Sequence, residues 1–233
     1  MSVTAESRPV GPPVDASPAQ MPGPVTLTGR FGAVTRLNAA AHGAALWEAM
    51  RGHDWIWDYL PVGPFADAAP FTDYIRSCER NEERYFYSVM DGGRPVGLLS
   101  LMEIRPAQRV VEVGNIIYSP ALQRTPLSTE AQYLLARYAF ETLGYRRYEW
   151  KCHALNAASK RAAQRFGFTY EGLFRQHMIV KGRSRDTAWF SILDGEWPAR
   201  KKAFETWLAP ENFDAAGKQK ASLSALNRQS APT

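Results

Sequence analysis

The spacing of hydrophobic and polar positions changes several times along the chain, and each change marks an element. In LTGRFGAVTRL, from Leu27, apolar and polar side chains alternate loosely, which predicts a first strand. Leu46, Trp47 and Met50 then fall on one helical face, predicting a helix over Ala39–Met50. The aromatic connector DWIWDYLP follows, and a second helix is predicted over residues 67–80. YFYSVMD, GGRP and VGLLSLMEI read as strand, turn and strand. RPAQR turns the chain into VVEVGNIIYS, whose β-branched content and length suit a strand buried in a sheet.

Thr129 opens a predicted helix through Leu143, with Glu130 in its first turn, where the helix dipole favours an acid, and Gly144 as its stop. YRRYEWKCH is the next strand, Ala157–Arg165 a helix closed by Gly167, and LFRQHMIV, KGRSR and TAWFSIL a last hairpin. An amphipathic helix covers residues 196–208. Hairpins around a central strand, helix, strand, helix unit imply an α/β fold, a mixed sheet with covering helices. Residues 1–24 are rich in Pro, Ala, Ser and Gly without periodicity, and are expected to form a flexible N-terminal tail. Residues 210–233 are expected to be a polar C-terminal tail, which leaves one domain over residues 25–209.

Composition adds bounds. With 233 residues, 45% of them hydrophobic, the chain suits one core and is short for two. The net charge of +5 fits an RNA-facing surface and equally a pocket for a polyanionic cofactor. Cys78 and Cys152 lie far apart, without CxxC pairing or zinc-ligand spacing. His42, His53 and His177 show no metal spacing either, so no metal is expected. The N-terminus lacks a basic head followed by an apolar run, and no run of eighteen apolar residues occurs. A cytoplasmic, reducing location with no membrane span is the expectation.

Three stretches carry a family likeness when taken in order. VEVGNIIYSPAL leads to QRTPLSTEA at a helix start, YEWKCHALNAASKRAAQRFGF gives a strand, an Asn/Ser segment and a helix ending in Gly-Phe, and EGLFRQHMIVKGRSRDTAWFSILDGEW gives a hairpin. Together they resemble the acyl-CoA core of the GNAT superfamily, and within it the ribosomal-protein alanine acetyltransferase-like branch. The likeness is close over residues 112–193 and looser back to Leu27. It implies the family's mixed, mostly antiparallel sheet with a central strand-helix-strand-helix acyl-CoA unit and covering helices, and acetyl-CoA as co-substrate.

A strand running into a loop and a helix N-terminus points unpaired backbone N–H groups into the loop, where a pyrophosphate fits. That loop spans residues 123–129. Family members usually show Q-x-x-G-x-G or Q-x-x-G-x-A, whereas this chain has Gln123, Pro126 and Ser128 at those positions. Pro126 removes a donor, while Arg124, Thr125, Ser128 and Thr129, with Leu127 among them, are expected to make altered phosphate contacts. The alternative is an ordinary polar helix cap. The resemblance also places Ile116, Ile117 and Tyr118 along the pantetheine, beyond a bulge for which Gly114 is the candidate, with Asn156 and Ser159 facing it from the next strand end. For Asn156 the alternative is a turn or cap.

Amide formation from a thioester needs a deprotonated amine, a donor for the developing oxyanion and a proton for the leaving thiolate. A backbone N–H near Ile117 is the oxyanion candidate, as the resemblance implies. Glu112 on the same strand is the candidate base, with an ion pair to an arginine such as Arg109 as its alternative role. Many relatives place a tyrosine acid where this chain has Ala163, so Ser159 is the expected substitute and Tyr118 a second contender. Cys152 and His153, adjacent on a strand, point to opposite faces and cannot form a dyad, so no acyl-enzyme is expected. Strand-like alternation would put Trp55, Trp57 and Tyr59 on one side of the connector, either as an acceptor wall or as core packing.

These residues lead to an acetyl-CoA-dependent N-acetyltransferase that moves an acetyl group to a primary amine by direct attack in a ternary complex. The acceptor is a small molecule, an amino acid or nucleotide conjugate, or a peptide or protein N-terminus. A non-catalytic acyl-CoA-binding or regulatory module is the alternative, prompted by the missing glycines and tyrosine. RNA binding through Arg146, Arg147, Lys151, Lys181, Arg183 and Arg185 is a third option, but a solvated basic face explains them more simply, and nucleic acid is not expected. Oligomeric state stays open, a homodimer included.

Overall fold

The computed structural model describes residues 10–229. One sheet holds eight strands: β1 (Thr26–Thr28), β2 (Ala33–Arg36), β3 (Tyr85–Asp91), β4 (Arg94–Arg105), β5 (Val110–Tyr118), β6 (Arg147–His153), β7 (Thr169–Val180) and β8 (Arg183–Leu193), in the spatial order β1-β2-β3-β4-β5-β6-β8-β7. Neighbours pair antiparallel except β5 and β6, which run parallel and are joined through α3 (Pro126–Arg137). The mixed, mostly antiparallel sheet expected from the sequence is present.

Alternation along the strands sorts side chains between two helical layers. Val111, Val113, Tyr148, Trp150, Cys152, Phe190 and Ile192 pack with α3 and α5 (Trp197–Leu208) in one core. On the other face Phe86, Leu98 and Ile117 pack beneath α1 (Ala39–Met50) and α2 (Ala68–Glu79). Asn38 starts α1 by accepting from the Ala41 N–H at 2.8 Å, and Phe71, Ile75 and Cys78 form the buried stripe of α2. The face of β6 and β8 opposite the first core instead carries Glu149, Lys151, Thr187, Trp189 and Ser191.

Three features depart from the sequence-based expectation. First, α3 starts at Pro126 and not at Thr129, because Thr125 caps it. Glu130 therefore lies one turn further in, and its carboxylate accepts from the backbone N–H groups of Arg30, Phe31 and Gly32 at 2.6, 2.7 and 3.1 Å. It fastens the β1–β2 turn to α3, a role its type alone did not disclose. Past Arg137 the helix continues as a π turn, Tyr138–Thr142, and Gly144, at φ +77°, ends it as expected.

Second, much of the segment expected to be a polar C-terminal tail packs against the domain. After a 3₁₀ turn at Pro210–Asn212, α6 (Leu223–Gln229) lies against α5 and α4 (Ala157–Arg165), with Leu223 fully buried. Polar residues do this work. The Asn212 amide donates to the carbonyls of Trp207 and Ala221, and that of Asn227 to the Arg165 carbonyl. At the other end, residues 1–9 of the expected tail lie outside the described residues. Ala19 and Gln20 donate backbone N–H groups to the carbonyls of Pro106 and Leu143, which ties the segment before β1 to the domain.

Third, the aromatic connector is a 3₁₀ turn, Asp54–Trp57, not an extended strand. At three residues per turn the alternate positions no longer share a side. Trp57 is 3% exposed and packs edge-on against Phe65, Phe71 and Tyr74, while Trp55 is 53% exposed and Tyr59 is partly exposed. The three rings therefore do not form one cluster. Trp57→Ala should cost about 3 to 5 kcal/mol in denaturant unfolding, whereas Trp55→Ala should stay within about 0.5 kcal/mol of the parent. Equal destabilisation by the two substitutions would contradict this packing.

Candidate active site

Between β5 and β6 the sheet opens. Parallel pairing joins Val110 through Val113 to Arg147 through Trp150 and goes no further, although both strands continue. The cause lies on β5. Its register against β4 shifts between the Ser100–Gly114 and Leu98–Ile117 pairs, and Asn115 between them sits at φ +49°. Asn115 Nδ2 donates to Ser100 Oγ at 3.1 Å, and Ser100 Oγ donates to the Gly114 carbonyl at 3.1 Å, which holds the bulge closed. A side chain at Gly114 would collide with Met102 Sδ. Gly114 thus occupies the bulge position read from the sequence.

Past the bulge, Ile117 is buried under α1 and α2, and Ile116 and Tyr118 are half-buried. The Tyr118 hydroxyl accepts from Gln132 Nε2 at 2.7 Å, and Gln123 Nε2 donates to the Tyr118 carbonyl at 3.0 Å. Burial pushes the Tyr118 phenol well above its ordinary range, which disfavours it as a proton donor at neutral pH.

The start of α3 is more self-contained than its hydroxyl content implied. Thr125 Oγ1 donates to the Leu122 carbonyl at 2.7 Å and accepts from the Ser128 N–H at 3.2 Å. Ser128 Oγ donates back to the Thr125 carbonyl at 2.7 Å, and Thr129 Oγ1 accepts from Arg165 Nη1 at 2.9 Å. The hydroxyl protons of Thr125 and Ser128 are thus engaged inside the protein, while Thr129, which only accepts, keeps its O–H for donation. Pro126 stands at the first helical position, where no N–H is required, so the departure from glycine there costs no helical hydrogen bond. Arg124, exposed at φ +62°, and the N–H of Leu127 remain at the helix start, where the dipole attracts an anion.

Across the opening, Asn156 caps α4 by accepting from the Ser159 N–H at 2.9 Å. Ser159 Oγ accepts from Trp150 Nε1 at 3.0 Å and lies within hydrogen-bonding reach of the Cys152 thiol, which burial pushes up. A raised thiol pKa opposes thiolate chemistry at Cys152. His153 lies apart from it, with its ring 5.3 Å from that of Tyr59.

Glu112 is 4% exposed on the opposite face of the sheet from the Ser159–Trp150 pair. Its partner is Lys151 and not Arg109: Lys151 Nζ lies 2.7 Å from Glu112 Oε2 and 4.1 Å from the centre of the Trp189 ring. Arg109 instead donates to the Gly144 carbonyl and pairs with Asp15. Desolvation pushes the Glu112 carboxyl up to about 7, while Lys151 pulls the other way. No hydrogen bond among the described residues joins Glu112 to Ser159, so candidate base and candidate acid flank the opening separately. The sequence reading treated Lys151 and Arg147 as solvated basic positions. Lys151 is instead bound to Glu112, and Arg147 to Glu149 and Glu171.

The connector and the last hairpin reach each other on this face. Lys181 Nζ, at the turn between β7 and β8, donates to the Trp57 carbonyl at 2.9 Å, and the Tyr59 hydroxyl donates to the Leu155 carbonyl at 3.3 Å.

The model of the Acetyltransferase (GNAT) domain matches residues 35–169, more than half of the chain, a stretch that contains this splayed strand pair and the helix start beside it. The chain belongs to the GNAT acetyltransferase family. It is similar to a GCN5-related N-acetyltransferase from Brucella melitensis, at 45% identity and a TM-score of 0.90, over 92% of this chain and 99% of that one. A probable acetyltransferase of the GNAT family from Chromobacterium violaceum ATCC 12472 is 40% identical at a TM-score of 0.78, over 84% of this chain and all of that one. The curated relative "Putative ribosomal N-acetyltransferase YdaF" of Bacillus subtilis (strain 168) is 30% identical over 109 residues, 47% of this chain. The matched stretch spans 59% of YdaF, less than two thirds of its length.

As a GNAT acetyltransferase the chain is an acyltransferase, and the family's co-substrate is acetyl-CoA. The geometry fits that group: the unpaired ends of β5 and β6 leave backbone edges for an extended arm, and α3 begins beside them. Sequence reasoning missed Lys151 and Asn115. The signal available for Lys151 was a cation alternating with core residues on an inner strand. For Asn115 it was its place beside Gly114, since asparagine tolerates positive φ.

If Glu112 is the base it must be ionised to act, so log kcat/KM should rise with pH and level off above about 7. Glu112→Gln should remove this limb and lower turnover by about 10²- to 10⁴-fold. Lys151→Met, which deletes the influence lowering the Glu112 pKa, should move the limb to higher pH, while Lys151→Arg should largely retain it. A parental rate that is flat between about pH 5.5 and 8.5 would assign Glu112 a structural role.

Proposed function

We propose that the protein transfers the acetyl group of acetyl-CoA to a primary amine by direct attack in a ternary complex, the acceptor being a small molecule or a peptide or protein N-terminus. The observation that carries this is a buried carboxyl poised near neutrality, Glu112, on the strand that leaves its neighbour at Gly114. Bound acetyl-CoA would supply an activated thioester carbonyl. Glu112 takes the proton of the attacking amine, directly or through water, from the α1–α2 side of the sheet. A backbone N–H of β5 near Ile117 is the donor assigned to the carbonyl oxygen. As the C–N bond forms and the C–S bond breaks, Ser159 directs a proton to the sulfur. Its oxygen already accepts from Trp150 Nε1, and its O–H, within reach of the Cys152 sulfur, is the proton it can redirect. Arg124, the Leu127 N–H and Gln123 stand at the phosphate end, and Ile116, Ile117, Tyr118 and Asn156 along the arm. Trp55 and Tyr59 are the exposed aromatic surfaces on the acceptor side, while Trp57 is buried against Phe65, Phe71 and Tyr74. The unpaired buried cysteines Cys78 and Cys152 are in keeping with a cytoplasmic location.

A second reading, a non-catalytic acyl-CoA-binding module, draws support from the internally committed hydroxyls of Thr125 and Ser128. The two separate cleanly in one experiment. CoA should raise the melting temperature through binding to the native state, and thiol release from acetyl-CoA should then depend on added amine. Thermal stabilisation without amine-dependent release across a broad panel of amines and peptides would favour the module, and no stabilisation at all would remove both. Ser159→Ala should slow turnover less than Glu112→Gln, since solvent can protonate a thiolate whose parent thiol has a pKa of roughly 8.5.

A further inference from the structure

Arg185, on β8, is a half-buried cation with no partner of its own. Its Nε is shielded from solvent without a hydrogen-bond acceptor, and no carboxylate lies within ion-pair distance of its guanidinium among the described residues. Burial works against its charge, with Cys152 and Glu112 acting in the opposite direction. Glu112 does not use it as a counterion, because Lys151 already holds that carboxylate at 2.7 Å.

Arg185 has polar and aromatic neighbours. Thr187 and Trp189 follow it on the same face of β8, and the Trp189 indole N–H is also buried without an acceptor. The Trp189 ring carries Lys151, which leads to Glu112. On β7 the register partner of Arg185 is Met178, next to a bulge in which Gln176 takes φ +49°. That bulge borders an opening of about 650 Å³ lined by Phe174, Arg175, Gln176 and His177. His177 is oriented by a 3.0 Å contact with Thr187 Oγ1 and lies 6.0 Å from the Trp189 ring. The hairpin turn is tied to the connector by Lys181. Arg185, Trp189 and Lys151 thus lie on one face of the sheet, and Lys151 leads on to Glu112.

The geometry points to Arg185 as an anion subsite of the acceptor: the amine that this protein acetylates carries a carboxylate or phosphate, which the guanidinium pairs while the amine faces Glu112. This rests on the acetyl-transfer function proposed above. A guanidinium presents paired donors matched to either anion, and a partly dry setting strengthens the pair relative to water. An arriving anion also satisfies a donor that is otherwise buried without a partner.

The test compares kcat/KM within matched acceptor pairs: phenylalanine with phenylalaninamide, the peptide amide Asp-Ala-Ala-Tyr with its Asn counterpart, and phosphoethanolamine with ethanolamine. At least one pair should favour its anionic member by about 10- to 100-fold, and the pair that does so identifies the source of the anion. Arg185→Gln, checked for intact folding by its melting temperature and CoA binding, should collapse that ratio towards one. Arg185→Lys should keep part of it. Equal use of both members in every pair, or a ratio that survives Arg185→Gln, overturns the subsite. If CoA binds but no amine is acetylated, the transfer function fails separately. Binding of the same pairs to the CoA-loaded protein, read by tryptophan fluorescence, then still decides the subsite: anion preference sensitive to Arg185→Gln upholds it, and its absence overturns it.

Discussion

Everything in the site depends on β5 and β6 ceasing to pair after Val113 and Trp150. Two parallel strands side by side would ordinarily continue their ladder, since unpaired buried N–H and C=O groups cost roughly 1 to 3 kcal/mol each. Here the bulge at Gly114 and Asn115 keeps β5 bound to β4, and β6 stays with β8 through His153. Each strand is thus held on its outer side, and the inner edges cannot close without breaking those ladders. The fixed gap leaves backbone groups that suit a ligand with an extended polar arm.

The same split divides the chemistry between the faces of the sheet. On the α3 and α5 side, Trp150 sits in the core and its indole N–H holds Ser159 at the start of α4. On the other side, Glu112 and Lys151 lie on a face whose alternate residues are polar. A one-residue slip of β6 against β5 would exchange Trp150 with Lys151 and bury the cation in the aromatic core. The position of Glu149 guards against this slip, because it pairs with both Arg105 and Arg147 on the polar face.

Most strands and helices were legible because their patterns are long: the β-branched run in VVEVGNIIYS and the helical spacing of Leu46, Trp47 and Met50 in α1 each survive local noise. The failures came where one residue type serves two structures. Pro126 read as a damaged phosphate loop, yet proline is equally at home at the first position of a helix, and only the Thr125–Ser128 hydrogen bond shows which applies. DWIWDY alternates like a strand over a length at which a 3₁₀ turn cannot be told from it, so the core role of Trp57 was separable from that of Trp55 only through its packing. Asn212 and Asn227 looked like solvated tail residues because the backbone carbonyls they satisfy belong to distant segments. Glu112 was found from its own strand, but its partner required the parallel register, which no local pattern encodes.

That register explains why Glu112 can stand near neutrality at all. Desolvation alone would raise a carboxyl buried to this degree until it stayed protonated at physiological pH, and a protonated acid accepts nothing. A fully compensating ion pair would hold it ionised but too weakly basic to take a proton from an amine. The Lys151 ammonium lies against this carboxylate and against the Trp189 ring. Burial is the larger influence on Glu112 and Lys151 opposes it, so the carboxyl rises to about 7. The lysine that opposes burial at Glu112 on β5 reaches it from β6 while packed on an aromatic of β8, so three strands meet at this carboxylate.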